Sequence, residues 1–595
     1  MLYPIDNGIR EVKDLSGIWN FRVDERDEGK KQQWYSQKLE QTMPMAVPAS
    51  YNDITTEASI RDHIGDVWYE RSFYIPASWS DRRIILRVGS ATHHAVMWVN
   101  GQEAARHKGG FLPFEADITD QIVRGAENRV TIAVNNELDW TCLPSGEIKT
   151  YEDAEGRYPE GYKTQETFFD FYNYSGLHRP VKLYTTPKNY IRDITVTTAI
   201  QGTSGIVQYQ CEISGKHSKV VVRLMDAEGN QVGETEGIHG QLTVEQAKLW
   251  EPGRGYLYSL AVETFNEQGQ IEDCYQQPVG IRTVRVEGKQ FFINNKPFYF
   301  KGFGKHEDSD ARGRGLDEAI NLKDFNLLKW IGANSFRTAH YPYSEELMRL
   351  ADREGLVVID EVPAVGMCFW SETNTVFRED RVNEKTLSHH LQAIQDMIAR
   401  DKNHPCVVMW SIANEAATNE EAAVPYFTKV VEVTRKQDPS RPITIVQTMW
   451  PSVDRIGGLV DVICINKYFG WYSDHGKLSL IERHMDRELL GWYERYGKPV
   501  IISEYGADTI AGFHQIPPVA FSEEFQSEYL NEFHKSFDKH DFVIGEHVWA
   551  FADFATKQGL TRVIGNRKGI FTRQRQPKAA AFKLQQRWKS EHPKW

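Results

Sequence analysis

The chain has 595 residues, is 41% hydrophobic and 12% aromatic, and carries a formal net charge of −12. Its length exceeds what one hydrophobic core usually organises and predicts about three globular domains. The acidic charge, without any lysine- and arginine-rich run, argues against nucleic-acid binding, whose affinity comes mainly from neutralising phosphates.

The sequence also lacks the signals of membrane insertion and secretion. No stretch approaches the roughly 18 consecutive apolar residues of a membrane-spanning helix, and residues 1–10 lack the apolar core of a signal peptide. The six cysteines are spaced singly, without the pairs typical of zinc sites or disulfide frameworks. We therefore expect a cytoplasmic protein that has reduced cysteines and no membrane partner.

The first half of the chain has the pattern of β-sandwiches. In residues 1–185, short apolar runs such as Val67–Tyr69, Ala95–Val99 and Val130–Val134 are separated by glycine-rich turns. A second strand-rich stretch, residues 186–283, has about the length of one immunoglobulin-like domain. Trp250-Glu251-Pro252 is expected to interrupt its strands near the middle.

In residues 284–595, apolar strand-like runs alternate with helical stretches, which is typical of a parallel sheet built from βα units. One predicted helix carries Leu391, Ile394, Met397 and Ile398 on a single apolar face. The predicted strands are Phe298–Lys301, Asn334–Arg337, Leu356–Asp360, Val407–Ile412, Ile443–Gln447, Val462–Asn466, Val500–Ser503 and Val543–Trp549. Eight such strands are the number that a (β/α)8 TIM barrel needs.

Two of the predicted barrel strands end in a glutamate. Val407–Ile412 leads into Asn414-Glu415, and Val500–Ser503 leads into Glu504. A glutamate after a strand often caps a helix or pairs with an arginine. Active sites of TIM barrels lie at the carboxyl ends of the strands, however, so these two carboxylates are expected to share one cavity. Such a pair is suited to the cleavage of glycosidic bonds.

Several motifs resemble those of glycoside hydrolase family 2. They are MWVNG, Asp170–Tyr184 (DFYNYSGLHRPVKLY), Lys301–Gly315 (KGFGKHEDSDARGRG), WSIANEA around Glu415 and IISEYGAD around Glu504. The resemblance covers essentially the whole chain. It implies that Glu504 is the nucleophile and Glu415 the general acid/base of a retaining mechanism without a metal or other cofactor. Family members also commonly assemble as homotetramers, so the resemblance implies a homo-oligomer.

Within the family the motifs are most similar to those of the β-glucuronidases, which implies hydrolysis of small or oligosaccharide β-D-glucuronides. Asn566 and Lys568, in the sequence GNRKG, resemble the motif that binds the C6 carboxylate, although alone they are typical of a surface turn. Asn414 resembles the residue that binds the sugar 2-hydroxyl. Further sugar-pocket residues implied by the resemblance are Asp170, His340, Asn466, Tyr468, Tyr472, Trp549 and Arg562.

The nucleophile has to stay ionised while the proton donor holds its proton, so Glu504 is expected to have cationic or hydrogen-bonding neighbours. The candidates are Arg337, His340 and Tyr468.

Three alternatives follow from the same residues. The enzyme could act on β-galacturonides, which share the C6 carboxylate, or on β-galactosides, which do not require Lys568. We expect Asp170 to distinguish glucuronides from galacturonides through the 4-hydroxyl. A non-catalytic carbohydrate-binding protein is disfavoured because Glu415 and Glu504 are both present.

The loop after Gly366, residues 367–383, is shorter than the active-site loop that some β-glucuronidases carry. It contains Met367, Phe369, Trp370 and Phe377. These side chains predict a partly apolar lip beside the leaving group.

Overall fold

The computed structural model describes residues 1–152, 156–159, 161–368 and 375–594. They form two β-sandwiches followed by a (β/α)8 barrel, which confirms the predicted fold class. Within the described parts of the chain, no helix is long and apolar enough to cross a lipid bilayer.

The first sandwich is formed by the following elements: β1 (Val12–Asp14), β2 (Gly17–Val23), β3 (Met43–Val47), α1 (Ala58–Arg61), β4 (Asp66–Tyr74), β5 (Arg83–Val88), β6 (Ala91–Thr92), β7 (His94–Val99), β8 (Gln102–Lys108), β9 (Phe114–Asp117), β10 (Glu127–Asn135), β11 (Gly146–Thr150), β12 (Lys163–Thr167), β13 (Gly176–Leu177) and β14 (Val181–Thr186). Its two main antiparallel sheets have the orders β1-β14-β5-β9 and β3-β2-β4-β10-β7-β8. Trp19 and Tyr69 from one sheet and Leu86 and Leu183 from the other share one buried core.

The second sandwich contains β15 (Tyr190–Gln201), β16 (Ser204–Ser214), β17 (Lys219–Met225), β18 (Gln231–Glu236), β19 (His239–Val244), β20 (Tyr258–Phe265) and β21 (Ile271–Val279). Its sheets have the orders β15-β16-β19 and β18-β17-β20-β21. As predicted, Trp250 lies in the connection between β19 and β20. Its buried indole N–H donates to the carbonyl of Asp352 at 2.7 Å, which ties this sandwich to the barrel domain.

A small sheet of β22 (Val284–Glu287), β23 (Gln290–Ile293) and β24 (Lys296–Pro297) precedes the barrel. The barrel strands are β25 (Phe300–Gly304), β26 (Ser335–Arg337), β27 (Val357–Glu361), β28 (Val407–Asn414), β29 (Ile443–Gln447), β30 (Val462–Asn466), β31 (Val500–Glu504) and β32 (Val543–Trp549). All are parallel, and pairing of β25 with β32 closes the barrel. The predicted strands β29, β30 and β32 have the observed bounds, and the other predicted ends fall within three residues.

Helices surround this barrel: α2 (Glu318–Ile331), α3 (Glu345–Glu354), α4 (Glu384–Asp401), α5 (Ala423–Gln437), α6 (Ile481–Tyr496), α7 (Glu523–Lys539) and α8 (Ala579–Lys589). Only a short 3-10 turn, Gly457–Leu459, lies between β29 and β30. In α4, Ile394, Met397 and Ile398 are buried and Leu391 packs beside them, which confirms the predicted apolar face. A capping box between Asn383 and Thr386 begins this helix.

The first sandwich reaches the mouth of the barrel through the segment between β12 and β13. Phe169 and Phe171 are buried in the barrel's hydrophobic core, and the Tyr172 N–H donates to the Ala555 carbonyl at 2.9 Å. Burial of the two phenylalanines fixes the position of Asp170 between them. One residue of the sandwich domain is thereby held at the carboxyl end of the barrel strands.

Candidate active site

A cavity of about 770 Å³ lies at the carboxyl ends of the barrel strands. Its wall contains the predicted residues Asp170, His340, Asn414, Glu415, Asn466, Tyr468, Tyr472, Glu504, Trp549, Arg562 and Asn566. Lys568 is the one predicted site residue outside this wall: it is buried behind Tyr472, with which it forms a hydrogen bond. The fold thus collects side chains from the first sandwich and the barrel around one space.

Glu504 is the last residue of β31 and is 4% exposed. The chain must then pass close to the end of β32, because a Cβ added at Gly506 would lie 1.9 Å from the Trp549 carbonyl oxygen. Glycine is therefore required two residues after Glu504. This contact explains the Glu-Tyr-Gly sequence at the strand end.

Glu504 receives hydrogen bonds on both carboxylate oxygens. The Arg337 guanidinium donates to Oε1, and the Tyr468 hydroxyl donates to Oε2 at 2.6 Å. His340 Nε2 lies 3.8 Å from Oε1. Arg337, His340 and Tyr468 are therefore all neighbours of this carboxylate, as the sequence predicted.

Arg337 is itself fixed by a glutamate that the sequence analysis did not single out. Arg337 Nη1 contacts both oxygens of Glu361, at 2.7 and 2.8 Å, and both residues are fully buried. The Ser411 hydroxyl and the His340 ring also contact Glu361, at 2.7 and 3.1 Å. Glu361 ends β27, so the rule that selected the other two strand-end glutamates also applies to it. Its role differs, since it positions Arg337 and does not line the cavity.

Glu415 follows the last residue of β28 and has a φ of 53°, a left-handed conformation that is uncommon outside glycine. Its N–H donates to the Val446 carbonyl at 2.9 Å, which continues the pairing toward β29. Asn466 Nδ2 donates to Glu415 Oε1 at 2.8 Å and lies 3.2 Å from Asn414 Oδ1. The Ser503 hydroxyl donates to Asn466 Oδ1, which fixes the orientation of the amide.

Burial raises the pKa of both Glu415 and Glu504 above that of an ordinary glutamate. The like charge of Glu415 adds to the rise in the pKa of Glu504, and that of Glu361 adds to the rise in the pKa of Glu415. Arg337 opposes this rise in the pKa of Glu504, and the Asn466 hydrogen bond opposes it in Glu415. Ionisation of Glu415 therefore hinders that of Glu504. A cation and a hydroxyl donate to Glu504, whereas an amide donates to Glu415. This difference favours the anion on Glu504 and the proton on Glu415.

In another part of the wall and directly behind it, two cations are each paired with an aspartate. Arg562 Nε donates to Asp170 Oδ1 and Asn566 Nδ2 to Asp170 Oδ2, both at 2.7 Å. The Lys568 ammonium contacts Asp508 Oδ2 and donates to the Tyr472 hydroxyl at 2.8 Å. Arg562 Nη2 donates to the same hydroxyl at 2.7 Å, which joins the two pairs.

Apolar side chains line the cavity near Glu415. Val365 and Cys368 come from the loop after β27, and Trp450 from the loop after β29, so they flank the strand that ends before Glu415. Trp450 is 54% exposed. These three residues form a partly apolar part of the wall on the Glu415 side of the cavity.

The predicted apolar lip is not supported at the two of its residues that the structure describes. Met367 and Phe377 are buried, and neither lines the cavity; Phe377 lines a separate cavity together with Tyr426. Their apolar surface is used in packing, so the prediction was wrong for these two residues. Phe369 and Trp370 lie outside the described residues.

Two groups of potential metal ligands occur in the described part of the chain: Asp352, His404 and Cys406, and Asp24, Asp27 and Asp66. None of these residues lines the cavity. Two further histidines, His306 in the sequence His-Glu-Asp and His390 in the sequence His-His, form hydrogen bonds with tyrosine hydroxyls. Their partners are Tyr341 and Tyr426, respectively.

Comparison with known proteins supplies the family. Residues 12–187 match the sugar binding domain of glycosyl hydrolases family 2, residues 189–282 match a second domain of that family, and residues 284–592 match its TIM barrel domain. The chain is 60% identical over 588 residues to a β-glucuronidase of Paenibacillus borealis, a match that covers 99% of this chain and 98% of that protein.

Solved structures give the same result. The structure of a β-D-glucuronidase from Dictyoglomus thermophilum has a TM-score of 0.95 and 53% identity, with 100% of each chain covered. A β-glucuronidase from Ruminococcus gnavus in complex with D-glucuronic acid has a TM-score of 0.93 and 42% identity, with 99% of each chain covered. The chain therefore belongs to glycosyl hydrolase family 2 and is a glycoside hydrolase.

Proposed function

We infer that the enzyme is a retaining β-glucuronidase, which hydrolyses β-D-glucuronides to glucuronate and an alcohol. The observation that carries this inference is a cavity lined by Glu415, Glu504 and Arg562, with a buried lysine, Lys568, bonded to Tyr472 of its wall. Cations in the cavity wall or directly behind it favour a substrate that carries a negative charge. The full-length similarity to β-glucuronidases supports the same activity.

We propose the following roles in the first half-reaction. The Glu504 carboxylate attacks the anomeric carbon while the bond from that carbon to the leaving oxygen breaks, and Glu415 transfers its proton to this oxygen. The product is an ester between Glu504 and the sugar, with inverted configuration. Hydrogen bonds from Arg337 and Tyr468 favour the ionised form of Glu504 before the attack.

In the second half-reaction, Glu415 removes a proton from water as the water oxygen attacks the anomeric carbon. The ester bond to Glu504 breaks, its carboxylate is restored, and a second inversion gives the β-anomer. Asn414, which lines the cavity, is proposed to bind the sugar 2-hydroxyl. Asn466 Nδ2 donates to its side-chain oxygen at 3.2 Å and holds the amide in position. Asp170 is proposed to contact the 4-hydroxyl and so to disfavour galacturonides.

The proposed function is tested with nitrophenyl β-glycosides of glucuronic acid, galacturonic acid, glucose and galactose. We expect hydrolysis of the glucuronide to be preferred, with β-glucuronic acid detected by NMR before it equilibrates with the α-anomer. Preference for another sugar would contradict the assignment of glucuronides as substrates. Initial release of the α-anomer would contradict the retaining mechanism. The expected homotetramer and cytoplasmic location remain proposals, and light scattering of the purified protein tests the first.

The pH dependence should reflect the burial of the two carboxyls. Glu415 acts as an acid only while protonated, so activity is lost as pH rises through its pKa, which burial raises above the ordinary value of 4.5. Protonation of Glu504, whose pKa is also raised, removes activity at lower pH. The profile of kcat/KM should therefore peak well above pH 4.5. Glu415→Gln should abolish the alkaline limb measured with a good leaving group, and a limb unchanged in this variant would contradict the assignment.

A further inference from the structure

Asp508 lies four residues after Glu504, near the buried cation of the proposed carboxylate site. It is 2% exposed, and its two oxygens have different partners. Oδ1 accepts the backbone N–H of Arg567 at 2.8 Å, whereas Oδ2 contacts the Lys568 ammonium and lies 3.6 Å from Arg562 Nη1. One carboxylate thus joins the loop after β31 to the segment that carries Lys568.

The Lys568 ammonium has three N–H donors. Asp508 Oδ2 accepts one, and the Tyr472 hydroxyl accepts another at 2.8 Å. The ammonium also lies 4.7 Å from the centre of the Tyr472 ring and 5.4 Å from that of Trp471, and the lysine is fully buried. These contacts hold the ammonium at one position, and among the described residues they leave one N–H donor for a ligand.

We propose that Asp508 is a positioning residue for recognition of the substrate's C6 carboxylate. It acts through Lys568, by holding the ammonium so that its third N–H can bind a carboxylate oxygen. Asp508 is not in the cavity wall and has no role in bond cleavage. This inference rests on the proposed function, because it requires a uronic acid as substrate.

Asp508→Asn is expected to weaken binding of the substrate's C6 carboxylate. Aspartate provides acceptors to both Arg567 N–H and Lys568, whereas the asparagine amide has only one oxygen. If this oxygen accepts the Arg567 N–H, the amide NH2 group faces the ammonium, and two donors repel each other. Lys568 is then displaced, and the bound carboxylate loses a charge-assisted hydrogen bond in both ground state and transition state.

The test measures kcat and KM for nitrophenyl β-D-glucuronide in the full-length enzyme. We expect Asp508→Asn to raise KM about tenfold or more, with kcat within about threefold of wild type. In a Lys568→Met background the same change should alter kcat/KM by less than about twofold, because the lysine through which it is proposed to act is gone. Asp508→Ser, which removes the carboxylate without introducing an NH2 group, should also raise KM.

The matched control is Asp553→Asn. Asp553 is also buried and pairs with a buried lysine, Lys578, at 2.8 Å, but neither residue lines the cavity. Asp553→Asn should lower the melting temperature about as much as Asp508→Asn does, without changing KM. An unchanged or lower KM in Asp508→Asn, or an equal loss with and without Lys568, would overturn the proposal. Failure of the wild type to hydrolyse the glucuronide would instead overturn the proposed function.

Discussion

Glu504→Gln is expected to lower kcat for a nitrophenyl β-D-glucuronide by on the order of 10⁴-fold. The amide has nearly the shape of the carboxylate, and its single oxygen can still accept from Arg337 while its NH2 group faces the Tyr468 hydroxyl, but that oxygen is too weak a nucleophile to form the ester intermediate. Steady-state kinetics measure the loss. The matched control is Glu546→Gln, a fully buried glutamate of β32 that binds Arg587 and does not line the cavity.

Added azide distinguishes the nucleophile from the acid/base. In Glu504→Gly, azide enters directly at the anomeric carbon and should give the α-glucuronosyl azide by a single inversion. In Glu415→Ala, the ester intermediate still forms from a substrate with a good leaving group, so azide should give the β-azide. The opposite pair of products, or substantial activity in Glu504→Gln but not in Glu546→Gln, would contradict the assigned roles.

Lys568→Met should lower kcat/KM for the glucuronide by about 10²–10³-fold, because removing one partner of a buried, hydrogen-bonded charge pair costs about 2–5 kcal/mol. The glucoside with the same aglycone differs only in having a hydroxymethyl group in place of the carboxylate. Its kcat/KM should not fall. The ratio of the two kcat/KM values therefore isolates recognition of the charge.

Lys578→Met is the matched control for this change. Lys578 is a buried lysine that pairs with Asp553, as Lys568 pairs with Asp508, but it has no contact with Tyr472 or the cavity among the described residues. We expect it to reduce stability and to leave the glucuronide-to-glucoside ratio unchanged. An equal loss on both sugars in Lys568→Met would show a structural defect and would contradict carboxylate recognition.

Much of the barrel could be predicted from the sequence because the apolar run that marks each strand involves only residues that are close along the chain. A parallel strand buried on both faces appears as a continuous apolar run, and β29, β30 and β32 were located with their observed bounds. The residue after such a run lies at the carboxyl end of the barrel. That rule, together with family motifs, selected Glu415 and Glu504 before any distance was known.

The same rule could have selected Glu361, which ends β27 in the same manner. What distinguishes it is a tertiary contact, since its carboxylate is fully occupied by Arg337, Ser411 and His340. The predicted lip was wrong at Met367 and Phe377 for a related reason. An apolar side chain in a loop can line a cavity or pack inside, and the sequence does not distinguish these outcomes.

The sequence by itself determined the order of the domains, the eight barrel strands and the two strand-end glutamates, because each depends on residues that are neighbours along the chain. Only the tertiary structure decided which charged side chains form pairs. Asp170 and Arg562 are 392 residues apart, and Asp508 and Lys568 are 60 apart, yet both pairs are in contact. The strength of a charge pair depends on distance and burial in space, and neither quantity can be read from sequence separation.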